Sequence, residues 1–223
     1  MTPPGNPYLK QLDDISMLWR QKGKAQHIYG IERLILIGLA VFLMAMPTMA
    51  LRWFAGRFGL RRRKNAIEVY AVLKPVLLIF VLWSGLAMRG WVCGLAILFV
   101  FDLYGYLLGI LLLRGFWAQP VSYSRSLILL AFNLVEFVAV FAIFYIYVGC
   151  LTSSGTAVTG WSNAFYFSAV TSATVGYGDI SPAPGLGRFL VTIQIFGSLG
   201  FMAMIVAHFV SNIERDRIPI QDD

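Results

Sequence analysis

Residues 172–185 read Ser172-Ala173-Thr174-Val175-Gly176-Tyr177-Gly178-Asp179-Ile180-Ser181-Pro182-Ala183-Pro184-Gly185. In an ordinary strand successive carbonyls point to opposite sides, so a row of carbonyls on one side requires left-handed backbone at some positions. Gly176 and Gly178 take such angles cheaply because they lack a Cβ. Pro182 and Pro184 keep helix from resuming until about Gly185. Upstream, Trp161-Ser162-Asn163 offers a helix start with Ser162 or Asn163 as N-cap. Residues 164–171 then form a half-length apolar helix that stops at Ser172-Ala173. Thr152-Ser153-Ser154-Gly155 reads as a turn. The whole of 151–188 is too polar to span a membrane and too patterned for a plain loop.

The flanks are of a different kind. Of the 223 residues 58% are hydrophobic and 13% charged, with a mean hydropathy of +0.72. Soluble domains are about 45–50% apolar and about 25% charged, so one aqueous core cannot hide this much apolar surface. The composition excludes a disordered chain, a coiled coil and a disulfide scaffold, and leaves an integral membrane protein. Spanning takes about 20 apolar residues. Five stretches approach this: 34–51, short and carrying Pro47; 69–88, interrupted by Lys74-Pro75; 91–113, with Asp102 inside; 127–150, with Asn133 and Glu136; and 189–213, with His208. Each reads as a helix, since a lipid-exposed strand leaves backbone groups unpaired. Cys93 and Cys150 read as buried small hydrophobes rather than a metal site. No cleavable signal peptide is expected at the N-terminus.

Thr174–Gly178 is the five-residue signature of potassium-channel selectivity filters. Residues 127–213 resemble the pore module of tetrameric potassium channels: outer helix, re-entrant pore helix, filter, inner helix. Tyr166-Phe167-Ser168, Thr171, Thr174-Val175-Gly176-Tyr177-Gly178-Asp179, Ile180-Ser181-Pro182 and the glycines Gly197 and Gly200 carry the likeness. The resemblance implies an all-α membrane protein with about five transmembrane helices, assembled as a homotetrameric, potassium-selective channel. K+ is then the permeant ion, with no other cofactor. The ion row is built from the carbonyls of Thr174, Val175, Gly176, Tyr177 and Gly178, with the Thr174 hydroxyl at its inner end. Val175 and Tyr177 point away from the axis and pack against the pore helix. Asp179, Tyr166 and Val170 support the filter. Val170 stands where many relatives have a carboxylate, Tyr166 where many have Trp, and Ala173 where many have Thr. The Tyr166 hydroxyl is expected to bond Asp179.

On this reading the chain divides into a polar tail (1–33), three N-terminal spans (34–126), the pore domain (127–213) and a short tail (214–223). A filter facing outward puts the C-terminus in the cytoplasm of a multi-pass plasma-membrane protein. Arg52, Arg57, Arg61, Arg62, Arg63 and Lys64 then lie inside, with Arg114, Arg125, Arg215 and Arg217, which satisfies the positive-inside rule. Five spans put the N-terminus outside. The basic tail (Lys10, Arg20, Lys22, Lys24, Arg33) argues instead for an interfacial or re-entrant 34–51 with the tail inside. Arg61, Arg62, Arg63 and Lys64 either set topology or bind anionic lipid headgroups; nucleic acid is not implied.

Charges within the spans need partners or a route to the headgroups. Lys74 and Asp102 flank a helical hairpin closed at Arg89-Gly90 and differ in depth by about 4–5 Å. They are candidates for an ion pair that Glu136 joins; alternatively Lys74 snorkels and Asp102 meets hydroxyls such as Tyr104 or Tyr106. No span carries the repeated Arg or Lys of a voltage sensor, and no cytosolic ligand-binding domain is expected. Gly197 and Gly200 are either gating hinges or close-packing sites. His208 is either a pH sensor near the inner mouth or a plain polar residue. The alternatives to a channel are a potassium-transporter subunit and a non-conducting scaffold or sensor with a pore-like fold. An enzyme is not indicated, since there is no nucleotide loop, metal cluster or nucleophile–base pair.

Overall fold

The computed structural model describes residues 6–20, 30–113 and 123–217. Arg114, Lys22, Lys24, His27 and the side chains of Arg61, Arg125, His208, Arg215 and Arg217 lie outside the described residues. The fold is all-α apart from three very short strands. The helices are α1 (Pro7–Arg20), α2 (Gly30–Met44), α3 (Pro47–Gly56), α4 (Leu60–Trp83), α5 (Gly90–Leu112), α6 (Tyr123–Val148), α7 (Trp161–Ser172) and α8 (Leu186–Arg217). Four of them are long and apolar enough to cross a membrane, α4, α5, α6 and α8; the pair α2–α3, bent by 63°, makes a fifth if it counts as one span.

That bend is where the sequence expected a single short span over 34–51. Its cause is local. The residue before a proline is pushed out of helical geometry, and Met46 is extended (φ −80°, ψ 145°) with Pro47 at the first turn of α3. Pro75, by contrast, stays inside α4. The hairpin after α4 also closes earlier than Arg89-Gly90: α4 ends at Trp83 and Gly85 turns left-handed (φ +76°) ahead of a 3-10 turn over Leu86–Met88.

The chain folds as two compact units. The first comprises Met1–Leu73 with Ile97–Val121, the second Lys74–Ala96 with Ser122–Asp223. In the first, Leu18 of α1 packs with Leu36, Ala40 and Leu43 of α2 and with Leu113. Gln11 on α1 donates to the Ala40 carbonyl at 3.3 Å. So α1, expected as part of a polar tail, docks one apolar face on α2. Gly105 of α5 permits the closest approach in this unit, since a Cβ there would lie 3.0 Å from Phe42 Cε1 and 3.2 Å from Leu43 Cδ2.

In the second unit α6 is the central element. Phe137, Ala139, Val140, Ala142 and Ile143 are fully buried. Phe137 stacks on Phe201 of α8 at 6.5 Å, and Tyr145 meets Phe167 of α7 edge-on at 5.0 Å. A stretch buried on all sides, as 136–143 of α6 is, belongs in an interior rather than at a surface. Strands β1 (Leu151–Ser153), β2 (Thr156–Ala157) and β3 (Ser181–Pro182) form an antiparallel sheet in the order β2-β1-β3. α8 runs unbroken through Gly197 and Gly200, and a Cβ on Gly200 meets nothing within 4 Å. Packing within the chain therefore does not require glycine at 200.

Gly105→Leu is expected to destabilise the first unit by about 1–3 kcal/mol through overpacking. Gly94→Ala, at an open helical position, should stabilise by about 0.5–1 kcal/mol. Thermal unfolding of detergent-solubilised variants measures both.

Candidate ion-conduction site

The site is built from the end of α7 outward. α7 starts at Trp161 with Gly160 as its N-cap (φ 115°, ψ 138°) and no side-chain cap. Neither Ser162 nor Asn163 therefore serves as the cap; Asn163 reaches back to the Thr159 carbonyl at 3.4 Å. At the other end the chain leaves the helix without losing its hydrogen bonds. The Ala173, Thr174 and Val175 amides donate to the carbonyls of Ala169, Thr171 and Val170 at 2.9, 3.1 and 3.0 Å. Val170 thus holds the segment through its backbone, at a position where the likeness had raised the question of a missing carboxylate.

Beyond that point φ is positive at Thr174 (57°), Gly176 (57°) and Gly178 (81°), and at neither Val175 nor Tyr177. Left-handed backbone at every second residue reverses the alternation of an extended chain and turns successive carbonyls toward one side. The glycines were legible for this. Thr174 was not, because a left-handed residue with a Cβ costs about 1–2 kcal/mol. Val175 and Tyr177 remain 52% and 71% exposed, so the packing expected of them against the pore helix is not completed within one chain.

The outer end is braced by the small sheet. Ser153 Oγ donates to the Asp179 carbonyl at 2.7 Å, and Thr152 pairs with Ser181 across the β1–β3 ladder. The Ala183 amide donates to the Cys150 carbonyl at 2.8 Å. The Tyr166 phenol is held above the ordinary tyrosine range by desolvation first, then by its interaction with the Asp179 carboxylate.

Behind α7 lies a buried polar cluster that the sequence reading missed. Gln194 of α8 is fully buried, and its Nε2 is 2.7 Å from Ser172 Oγ, 2.8 Å from the Ser168 carbonyl and 2.9 Å from Ser168 Oγ. Its Oε1 accepts the Tyr145 hydroxyl, and Ser168 Oγ donates to the Val138 carbonyl at 2.8 Å. A carboxamide in the middle of an apolar span was the available signal, since such a group is costly there unless partnered.

Comparison with known proteins supports this reading of the segment. A family described as "Ion channel" (Ion_trans_2) matches residues 133–215. This stretch is an ion-channel domain. It runs from within α6 to near the end of α8 and contains every residue of the site just described. Potassium channel protein 1 of Methanocaldococcus jannaschii is 43% identical over 56 residues, 24% of this chain and 17% of that protein. Two-pore potassium channel 4 of Arabidopsis thaliana is 37% identical over 60 residues, 27% of this chain and 21% of that protein. The chain thus spans about a fifth of the length of these curated relatives. No solved structure matches it.

The matched stretch is charge-linked to α4. Lys74 Nζ of α4 lies 2.8 Å from Glu136 Oε1 of α6, and both side chains are buried. Lys74 is therefore paired inside its own unit rather than snorkelling. Asp102, in the other unit, accepts from the Thr48 amide at 3.2 Å, from Thr48 Oγ1 at 2.7 Å and from the Tyr70 hydroxyl at 3.2 Å. Hydroxyls do meet it, those of Thr48 and Tyr70 among them.

Lys74→Met alone should cost about 3–5 kcal/mol, because Glu136 would be left buried without its cation. Lys74→Met combined with Glu136→Leu should recover most of that in thermal unfolding. A double variant as unstable as the single would refute the pairing. Tyr166 gives a pH prediction. With its value raised in the folded state, its contribution is complete below the ordinary phenol value of about 10 and is lost as pH rises through the raised one. The alkaline tyrosinate absorbance titration should lose one phenol's step in Tyr166→Phe, leaving those of the other tyrosines.

Proposed function

We propose that the chain is a potassium-selective channel that conducts K+ passively through a pore formed by four copies of the ion-channel domain. The reading rests above all on the alternating left-handed backbone at Thr174, Gly176 and Gly178. A dehydrated K+ needs a cage of oxygens in place of its hydration shell. Carbonyls of Thr174, Val175, Gly176, Tyr177 and Gly178 turned to one side supply one wall of such a cage, and Thr174 Oγ1 closes its inner end. The C-terminal end of α7 adds a partial negative charge that favours a cation nearby. The named relatives, both potassium channels, support the same ion.

One wall is not a pore, and cyclic repetition supplies the others. Two observations favour a homotetramer. Only 17% of the spanning part of α8 is buried within the chain, against 56% for α6. Val175 and Tyr177 lack cover on the side away from the carbonyls, where the α7 of a neighbouring copy fits. The filter faces outward and the C-terminus the cytoplasm of a plasma membrane. Arg61, Arg62, Arg63 and Lys64 sit at the inner headgroups. The chain carries out no catalysis, and K+ is its cargo.

Liposomes holding a K+ gradient test this directly. The expected result is flux of K+ but not Na+, blocked by Ba2+. Gly176→Ala should lower K+ flux on the order of tenfold or more, since each copy then carries the left-handed penalty. An intact tetramer without flux would favour a non-conducting scaffold or sensor.

A further inference from the structure

We infer that Gln194 is a positioning residue for the filter: its carboxamide clamps the last turn of α7 so that Thr174 keeps its left-handed backbone, and it thereby sets the discrimination between K+ and Na+. The discrimination part rests on the conduction proposed above; the clamp itself does not.

The orientation of the Gln194 carboxamide has one consistent solution, with its two N–H hydrogens shared among the Ser168 carbonyl, Ser168 Oγ and Ser172 Oγ. The Ser168 carbonyl can only accept, so it must face the amide nitrogen of Gln194, 2.8 Å away. Ser168 Oγ gives its hydrogen to the Val138 carbonyl at 2.8 Å, so toward Gln194 it accepts. Oε1 is then turned to Tyr145, whose hydroxyl donates to it. The side chains of Tyr145, Ser168, Ser172 and Gln194 are all buried, where a fully partnered network rigidifies and a partly partnered one is costly. Three elements meet in this cluster: α6 through Tyr145 and Val138, α7 through Ser168 and Ser172, and α8 through Gln194.

Ser172 stands two residues before Thr174, with Ala173 as the C-cap of α7 between them. Thr174 is a non-glycine residue at φ +57°. Such strain persists only where the surroundings over-determine it. Within one chain the restraint nearest Thr174 is on the helix side. There the Thr174 and Val175 amides are bonded to the carbonyls of Thr171 and Val170, and that turn is fixed in place by Ser168 and Ser172 on Gln194. Without the clamp Thr174 relaxes toward right-handed backbone, and the peptide joining it to Val175 rotates a ring of oxygens out of the ion row.

Gln194→Met is the decisive variant, because it keeps length and volume and removes only the polar contacts. Gln194→Glu sharpens it: a carboxylate would face the Ser168 carbonyl, so an isosteric change is expected to be as harmful. Tyr145→Phe removes one hydroxyl and should have a smaller effect in the same direction. Two readouts apply to the full-length chain in liposomes. Hydrogen–deuterium exchange at the Thr174 and Val175 amides should quicken about tenfold in Gln194→Met, whether or not the protein conducts. The Na+/K+ permeability ratio should rise about tenfold. Lower thermal stability with unchanged exchange would overturn the clamp and leave Gln194 merely structural. Faster exchange with an unchanged ratio would overturn its role in ion discrimination. Absence of flux in the wild-type protein would overturn the conduction reading, and the exchange measurement would still decide the clamp.

Discussion

A backbone held left-handed at every second position, with a threonine among those positions, sets the terms for the rest of the channel domain. Extended chain is the low-energy choice for such a segment, and the glycines only reduce the cost of leaving it. Thr174 has no such relief. The segment is therefore gripped at both ends. On the inner side, α7 hands over its hydrogen bonds one by one to Ala173, Thr174 and Val175. On the outer side, Ser153 and the β1–β3 ladder hold the backbone at Asp179 and Ser181. The hairpin of β1 and β2 looks like loop decoration in isolation. Next to Asp179 it is the fastening of the segment's outer end.

The same logic explains how burial is distributed. α6 is enclosed by apolar side chains along Phe137–Ile143 because α7 must rest on something that does not move. α8 touches α6 and α7 through a few specific residues, Gln194 and Phe201 among them, and leaves Leu186, Phe189, Phe196 and Leu199 uncovered. In a soluble protein such a surface would be a liability. In a membrane helix it is a face available to lipid or to further protein.

How much of this could be read beforehand follows from the range of each interaction. The membrane class, the half-length helix before Thr174 and the restart of helix after Pro184 are local consequences of composition, capping and proline. They were legible to within a few residues. Gly176 and Gly178 announced their backbone angles because glycine is the default there; Thr174 did not, since threonine disfavours the angle it adopts. The N-cap of α7 was placed two to three residues late, because Gly160 caps without a side chain. The Gln194 cluster lies beyond local reading altogether: Tyr145, Ser168 and Gln194 are 23 to 49 residues apart in the chain and meet only once α6, α7 and α8 have packed. Lys74 offered two acidic candidates at similar depth, and depth alone does not resolve azimuth around a helix.

Asp102 shows the same economy at work in the other unit. A carboxylate inside an apolar helix invites a reading as a sensor or an ion pair. Its partners suggest a simpler origin. Pro47 breaks the helix pair α2–α3; the Met49 and Ala50 amides still reach the Met46 carbonyl, and the Thr48 amide is left without a helical acceptor. Thr48 turns both its amide and its hydroxyl to Asp102, and Tyr70 adds a third donor. The carboxylate also faces the positive end of the α3 dipole. A break that would be intolerable in hydrocarbon is thereby closed from a different helix. The proline and the aspartate thus act together: the bend leaves the Thr48 amide without a helical acceptor, and the carboxylate on α5 receives it.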